Sequence, residues 1–259
     1  SFYRLCGATQ SAERCCFRMT PRLPQGSSCD IGEVFNMRKK LAAQGIVKLL
    51  SGALTMGLFL FLPAGTLDYP GAWRLLCVFF IPAFVLGLVL LIAKPELLAK
   101  RLNTMEPEPE QRRVLALSSL IFAASFLLCT LDFRFGWSAV PAWLSTTACA
   151  VFLLAYVGFA ELLHENEYLS RSVELQAGQK VVSTGMYGIV RHPMYAVIIW
   201  LFLSMPLILG SYIGLIPLAF IPYVLVKRLL NEEKLLRGGL DGYDEYMQKV
   251  RYRLIPFVW

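Results

Sequence analysis

The sequence predicts an all-α fold: a polytopic membrane helix bundle of about six transmembrane helices, with a C-terminal helical hairpin and a cytoplasmic amphipathic helix. Three observations predict it. Hydrophobic residues make up 56% of the chain against 17% charged, and the mean hydropathy of +0.55 lies outside the balance of a water-soluble domain. Apolar runs of bilayer length recur along the sequence. Lys and Arg collect between alternate runs, as the positive-inside rule requires of a multipass protein.

The chain opens with residues 1–36, where scattered Arg, Pro, Gly and Ser give neither periodicity nor a sustained apolar run. This stretch is expected to be a poorly ordered tail that need not be native, since Met37-Arg38-Lys39-Lys40 reads as a start with a basic flank. Residues 37–259 form a single integral membrane domain. Its first four spans are drawn at about Gly45–Leu62, Trp73–Ala93, Val114–Leu131 and Val140–Leu163. The fifth, about Met194–Leu209, and the sixth, about Tyr212–Leu230, are separated only by Gly210-Ser211 and so must fold as a tight antiparallel pair. Pro206, Pro217 and Pro222 each remove a backbone donor there and should kink these helices.

Arg38, Lys39 and Lys40 precede the first span, Lys94, Lys100, Arg101, Arg112 and Arg113 follow the second, and Arg171, Lys180 and Arg191 follow the fourth. Both termini and the stretch around Gly185 are therefore expected on the cytoplasmic side, with Tyr69, Trp73, Trp137 and Trp143 as an aromatic belt at the other interface. Lys94–Met105 alternates apolar and basic residues at helical spacing and is expected along the cytoplasmic surface. The acidic, proline-punctuated run Glu106–Glu110 is expected as a solvated linker. The net charge of +7 does not point to nucleic acid, because the cations form no aromatic-interleaved patch. The seven cysteines have no zinc-like spacing, so neither metal nor disulfide is assigned.

The chemistry-bearing stretch is Gly185–Tyr195, which sets an Arg191-His192 pair and the helix-starting Pro193 between two apolar runs. Folding the last two spans back on each other brings Arg191 and His192 to the membrane depth of Glu232 and Glu233. Tyr195 shares a helical face with His192, and the free N–H groups of a helix start beside Arg191 can hold a carboxylate or phosphate. Acidic residues at a face that favours Lys and Arg call for cationic company, either Arg191 and Arg228 or a charged ligand. After the Gly238-Gly239 break, a helix over about Asp241–Tyr252 carries Tyr243, Tyr246 and Val250 on one stripe. It is expected to fold over the polar pocket as a lid.

Val182-Ser183-Thr184-Gly185-Met186-Tyr187, Val190-Arg191-His192-Pro193-Met194-Tyr195, Asn231-Glu232-Glu233 with Leu235-Leu236, Gly242-Tyr243, Tyr246, Val250-Arg251 and Pro256 together resemble the isoprenylcysteine carboxyl methyltransferase family. Phospholipid N-methyltransferases share a similar C-terminal plan. The resemblance covers about Glu165–Pro256 and implies a methyltransferase that uses S-adenosylmethionine, held in the cytoplasmic half of the bundle at about residues 165–256. It implies a cofactor site of Gly185, Tyr187, Val190, Arg191, His192, Pro193, Tyr195 and Glu232, with catalytic roles for Arg191, Glu232 and Glu233. Arg251, Tyr243 and Tyr246 are expected to meet the substrate. That substrate is expected to be a lipid-like or prenylated small molecule reached from the membrane lipids, and its methyl-accepting group is either a carboxylate or an amine. One departure is Val197, where the family often carries glycine. Two alternatives remain: an NADPH-dependent oxidoreductase like the membrane sterol reductases, and a non-catalytic lipid-binding protein.

Overall fold

The structure, a computed structural model, describes residues 31–103, 109–169, 175–176 and 178–259. The tail expected over residues 1–36 lies outside the described residues as far as residue 30, and the acidic linker expected at Glu106–Glu110 does so over 106–108, its last two residues opening the helix Pro109–Phe135. Helix α1 begins at Ile31, so residues 31–36 are helical rather than part of a tail.

The described residues form an all-α bundle. Four helices are long and apolar enough to cross a membrane: α1 (Ile31–Ala64), α2 (Pro70–Ala93), α4 (Pro109–Phe135) and α5 (Ala142–Glu165). Between α2 and α4 lies the short α3 (Pro95–Leu102), followed after α5 by a 3-10 turn (Gly185–Gly188). The C-terminal part adds α6 (Pro193–Leu209), α7 (Leu215–Leu218), α8 (Ile221–Gly239) and α9 (Tyr243–Lys249).

Among the described residues, the outer faces of the long helices have no protein partner: Leu54, Leu62, Leu154 and Val157 are 65–70% exposed. Such continuous apolar surface is stable only against lipid, and the chain is a multipass integral membrane protein. At 34 residues, α1 is longer than a bilayer needs, so its basic start at Arg38, Lys39 and Lys40 projects beyond the apolar part.

The expected sixth span is not one helix. The helix is interrupted at Ala219-Phe220, between α7 and α8. Pro217 and Pro222 flank the break, and each lacks the N–H that a continuous helix would use there.

The inner faces meet in a core of Leu60, Tyr69, Ala72, Leu75, Phe152, Met205 and Ile208, contributed by α1, α2, α5 and α6. Helix α6 packs most extensively on α5. At the end of the bundle carrying the expected aromatic belt, Tyr69 Oη donates to Leu209 O at 2.9 Å and its ring stacks on Phe133 at 3.9 Å. A Cβ on Gly71 would lie 2.6 Å from Leu209 O, so only glycine lets α2 start this close to the end of α6. Asp132, fully buried at the same end, accepts hydrogen bonds from Ser138 and Ser211, tying α4 to the turn after α6.

The opposite end holds α3, the C-terminus of α5, the start of α6 and the C-terminal half of α8. Leu97 and Leu98 of α3 are buried, while Lys100 and Arg101 in its last turn are half-buried.

Candidate functional site

Local sequence sets the approach to α6. Gly185 adopts φ +50°, in the left-handed region, and a Cβ there would collide with the Glu165 carboxylate. The positive φ favours glycine, while the collision would require the Glu165 side chain to move. The turn lets Met186 N donate to Glu165 Oε2 at 3.3 Å, and Tyr187 then enters the interior. Pro193 takes the first position of α6 with His192 as N-cap, where a missing N–H costs nothing. The backbone N–H groups of Arg191 and His192 do not face a ligand: they donate to Tyr252 O and Arg253 O, each at 2.9 Å. The helix-start anion site expected from the sequence therefore loses His192 N to the irregular C-terminal segment, and the charged side chains carry what recognition remains.

Those side chains meet across the α6–α8 pair. Arg191 Nε lies 2.9 Å from Glu233 Oε1, and His192 Nε2 lies 3.3 Å from the same oxygen. Tyr195 Oη donates to Glu232 Oε2 at 2.6 Å. Arg253, which the sequence did not single out, donates from Nε to Glu233 Oε2 at 3.0 Å. Arg191, His192 and Glu233 are all buried. Burial acts to raise the Glu233 carboxyl, but hydrogen bonds from His192 and Arg253, then the fields of His192 and Arg191, outweigh it and hold the group at about 2.

One cleft gathers most of the predicted residues. Tyr187, Arg191, His192, Tyr195, Glu232, Tyr243 and Tyr246 line it, joined by Arg228, Asn166, Tyr168, Gln179 and Lys180. Its apolar lining includes Leu169, Val182, Met194, Leu235 and Leu236. The cavity volume is about 100 Å³, within about 870 Å³ of space that includes the open mouth. A ligand larger than a few waters must occupy that mouth as well as the interior. Burial pushes the Tyr187 phenol up to about 12, and burial with the charges of Glu233 and Glu232 raises Tyr243 further. These tyrosines offer neutral hydroxyls and ring faces.

Five predicted residues stand elsewhere, the first being Gly185 in the turn before α6. Val190 and Pro193 are buried behind the cleft as packing and helix start. Glu233 lies beneath it, enclosed by its cations. Arg251, expected to meet substrate, is exposed and outside the lining; its neighbour two residues on, Arg253, turns inward instead. Val197 also avoids the cleft. Its Cγ2 would lie 3.5 Å from a Cβ on Gly158, so the extra bulk packs over a glycine of α5.

Helix α9 is shorter than the expected Asp241–Tyr252. Tyr243, Tyr246 and Val250 form the expected stripe, packed against Val181, Leu236 and Leu240. Tyr246 Oη donates to Tyr187 O at 2.7 Å, closing α9 onto the 3-10 turn.

Sequence reasoning named Arg228 as company for the glutamates but missed Arg253, Asn166, Tyr168 and Gln179 as neighbours of this site. Arg228 had a readable signal, lying one helical turn before Glu232 on the same face. The others sit in irregular segments, where spacing carries no directional information.

No curated protein matches the chain. Residues 146–238, running from α5 through the cleft to the end of α8, match the model of a family of membrane methyltransferases. That family is the isoprenylcysteine carboxyl methyltransferase (ICMT) family, and the similarity is confined to this segment of the chain.

Proposed function

We propose that the protein is an S-adenosylmethionine-dependent methyltransferase whose cleft opens at the cytoplasmic membrane face and whose acceptor is lipid-like. The observation that carries this is the meeting of Arg191 and His192 with Glu233, and of Tyr195 with Glu232, around one cleft at the end of apolar helices.

The donor set fits the cofactor. S-adenosylmethionine carries a sulfonium and an ammonium, a carboxylate, and an adenosine with a flat base. Glu232 offers a carboxylate to the cations, Arg191 and Arg228 offer guanidinium groups to the carboxylate, and Tyr187, Tyr243 and Tyr246 offer ring faces beside the amides of Asn166 and Gln179. When bound, the cofactor supplies an electrophilic methyl group on sulfur.

The protein's part is alignment and exclusion of water, which such a displacement needs more than acid-base machinery. We assign Glu232 to ligand contact. Glu233 fixes the position of Arg191, His192 and Arg253 from below and is a positioning residue. With an amine acceptor, Glu232 takes the proton that the amine must lose. With a carboxylate acceptor, already ionised at neutral pH, no proton moves and the cleft cations hold it. The apolar side of the cleft, with Met194, Leu235 and Leu236, suits the hydrocarbon part of the acceptor.

In this reading α6 and the α7–α8 pair are the fifth and sixth crossings, α3 lies along the cytoplasmic surface, and the Lys and Arg distribution sets the orientation. The test uses the full chain in detergent, titrated with S-adenosylmethionine and, separately, with NADPH. Saturable binding of the first alone supports the proposal, and selective binding of NADPH sinks it in favour of a reductase. Incubation of lipid extract with methyl-labelled cofactor then identifies the acceptor.

A further inference from the structure

The polar wall of the cleft opposite α8 comes from the segment after α5, and that wall has a support outside the family-matching segment. Lys100 Nζ of α3 donates to Gln176 Oε1 at 2.7 Å and lies 3.4 Å from Glu167 O. Gln176 in turn joins the two ends of the wall. Its Nε2 donates to Tyr168 O at 2.7 Å, and its backbone N donates to Gln179 Oε1 at 3.0 Å. Tyr168 and Gln179 both line the cleft. A second lysine, Lys94, donates to His164 O at 2.8 Å, satisfying a carbonyl in the last turn of α5 where a cation is also favoured by the helix dipole.

We propose that Lys100 is a positioning residue for ligand binding, acting through Gln176 to fix the Tyr168 and Gln179 wall of the cleft. Lys100 and Gln176 are half-buried, and neither lines the cleft. Among the described residues the wall has no helix or strand of its own: Tyr168, Gln176 and Gln179 lie in turns and irregular chain. Side-chain hydrogen bonds therefore help to set its geometry alongside the packing of Leu169, and the Lys100 contact ties it to a helix of the bundle. Loss of the ammonium leaves Gln176 without its charged partner, so the wall samples other positions before a ligand arrives. Ordering it again is then charged against affinity. The catalytic residues on α6 and α8 are not displaced.

This rests on the cleft being the S-adenosylmethionine site. The experiment measures the Kd of S-adenosylmethionine by calorimetry, on the full chain in detergent, for wild type, Lys100→Ala, Gln176→Ala, the double variant and Lys100→Arg. Each alanine variant should weaken binding about tenfold, the loss expected for one charged hydrogen bond. The double variant should be no weaker than Lys100→Ala, because both changes cut one chain of contacts. Lys100→Arg keeps a donor in reach and should stay close to wild type, as should Lys40→Ala on the exposed start of α1.

In turnover the loss should fall on KM and leave kcat nearly unchanged, which general loosening of the bundle would not do. A wild-type Kd in Lys100→Ala, or penalties that multiply in the double variant, overturns the proposal. Should Lys100→Ala fail to purify as a single species, Gln176→Ala alone decides it: unchanged binding there overturns the linkage. Absence of binding by wild type overturns the cofactor assignment itself and this inference with it, which distinguishes the two failures.

Discussion

Arg191 and Glu233, on opposite sides of an apolar double run in sequence, form a buried ion pair of 2.9 Å at the floor of the cleft. His192 and Arg253 share the same carboxylate. A buried pair of this kind is not strong evidence of net stabilisation, because desolvation offsets the attraction, but removing one partner leaves uncompensated buried charge.

Glu233→Gln should therefore destabilise the protein by roughly 3–5 kcal/mol. Thermal melting in detergent, with and without saturating S-adenosylmethionine, measures it. A melting temperature unchanged from wild type would show that Arg191 and Arg253 find other partners.

Glu232→Gln should behave in the opposite way. Glu232 is half-buried and its one described side-chain hydrogen bond is from Tyr195 Oη, which a Gln carbonyl can still accept. Melting should change little while S-adenosylmethionine affinity falls by at least about tenfold, the cost of exchanging a charged hydrogen bond for a neutral one. Wild-type affinity would remove Glu232 from the ligand site.

The Glu233 carboxyl gives a pH signature. Its folded value of about 2 lies below the ordinary 4.5, so the charged group contributes stability fully above the ordinary value, and that contribution is lost as pH falls from about 4.5 through about 2. The difference in melting temperature between wild type and Glu233→Gln should shrink across this window. A difference that stays constant there would place the carboxyl in an unperturbed environment.

Gly185→Ala meets two obstacles, the positive φ and the Glu165 carboxylate. It should cost roughly 1–3 kcal/mol and weaken ligand binding by displacing Tyr187. Pairing it with Glu165→Ala should restore only the part due to the collision, and full recovery would show that backbone conformation is not limiting.

Arg251 and Arg253 make a paired control. Arg251→Ala, at an exposed position, should change turnover by less than about twofold, in keeping with surface substitutions generally. Arg253→Ala should lower both stability and turnover by uncovering Glu233. Equal effects from the two would contradict the inward turn of Arg253 in the C-terminal segment.

How much of this was legible in the residues differs from element to element. The four long helices follow from apolar length alone, and their described ends fall within a few residues of the expected spans wherever an interfacial Tyr, Trp or Pro marks the boundary, as at Pro70 and Ala142. The start of α1 was not legible, because the basic Arg38-Lys39-Lys40 flank reads as the end of order although the same residues are good helix formers. The break between α7 and α8 was signalled by Pro217 and Pro222, but proline alone does not separate a kink from an interruption.

What the sequence by itself determined is the membrane bundle and the pairing of an Arg-His corner with a Glu-Glu corner. Both follow from short-range rules: hydropathy over a span and helical spacing across a tight turn. Only the tertiary structure decided that Glu232 faces the cleft while Glu233 lies beneath it, that Arg253 rather than Arg251 turns inward, and that Lys100 supports the wall from α3. Those choices depend on side chains from separate segments competing for one carboxylate or one carbonyl in a place without water, and no local pattern records the outcome of that competition.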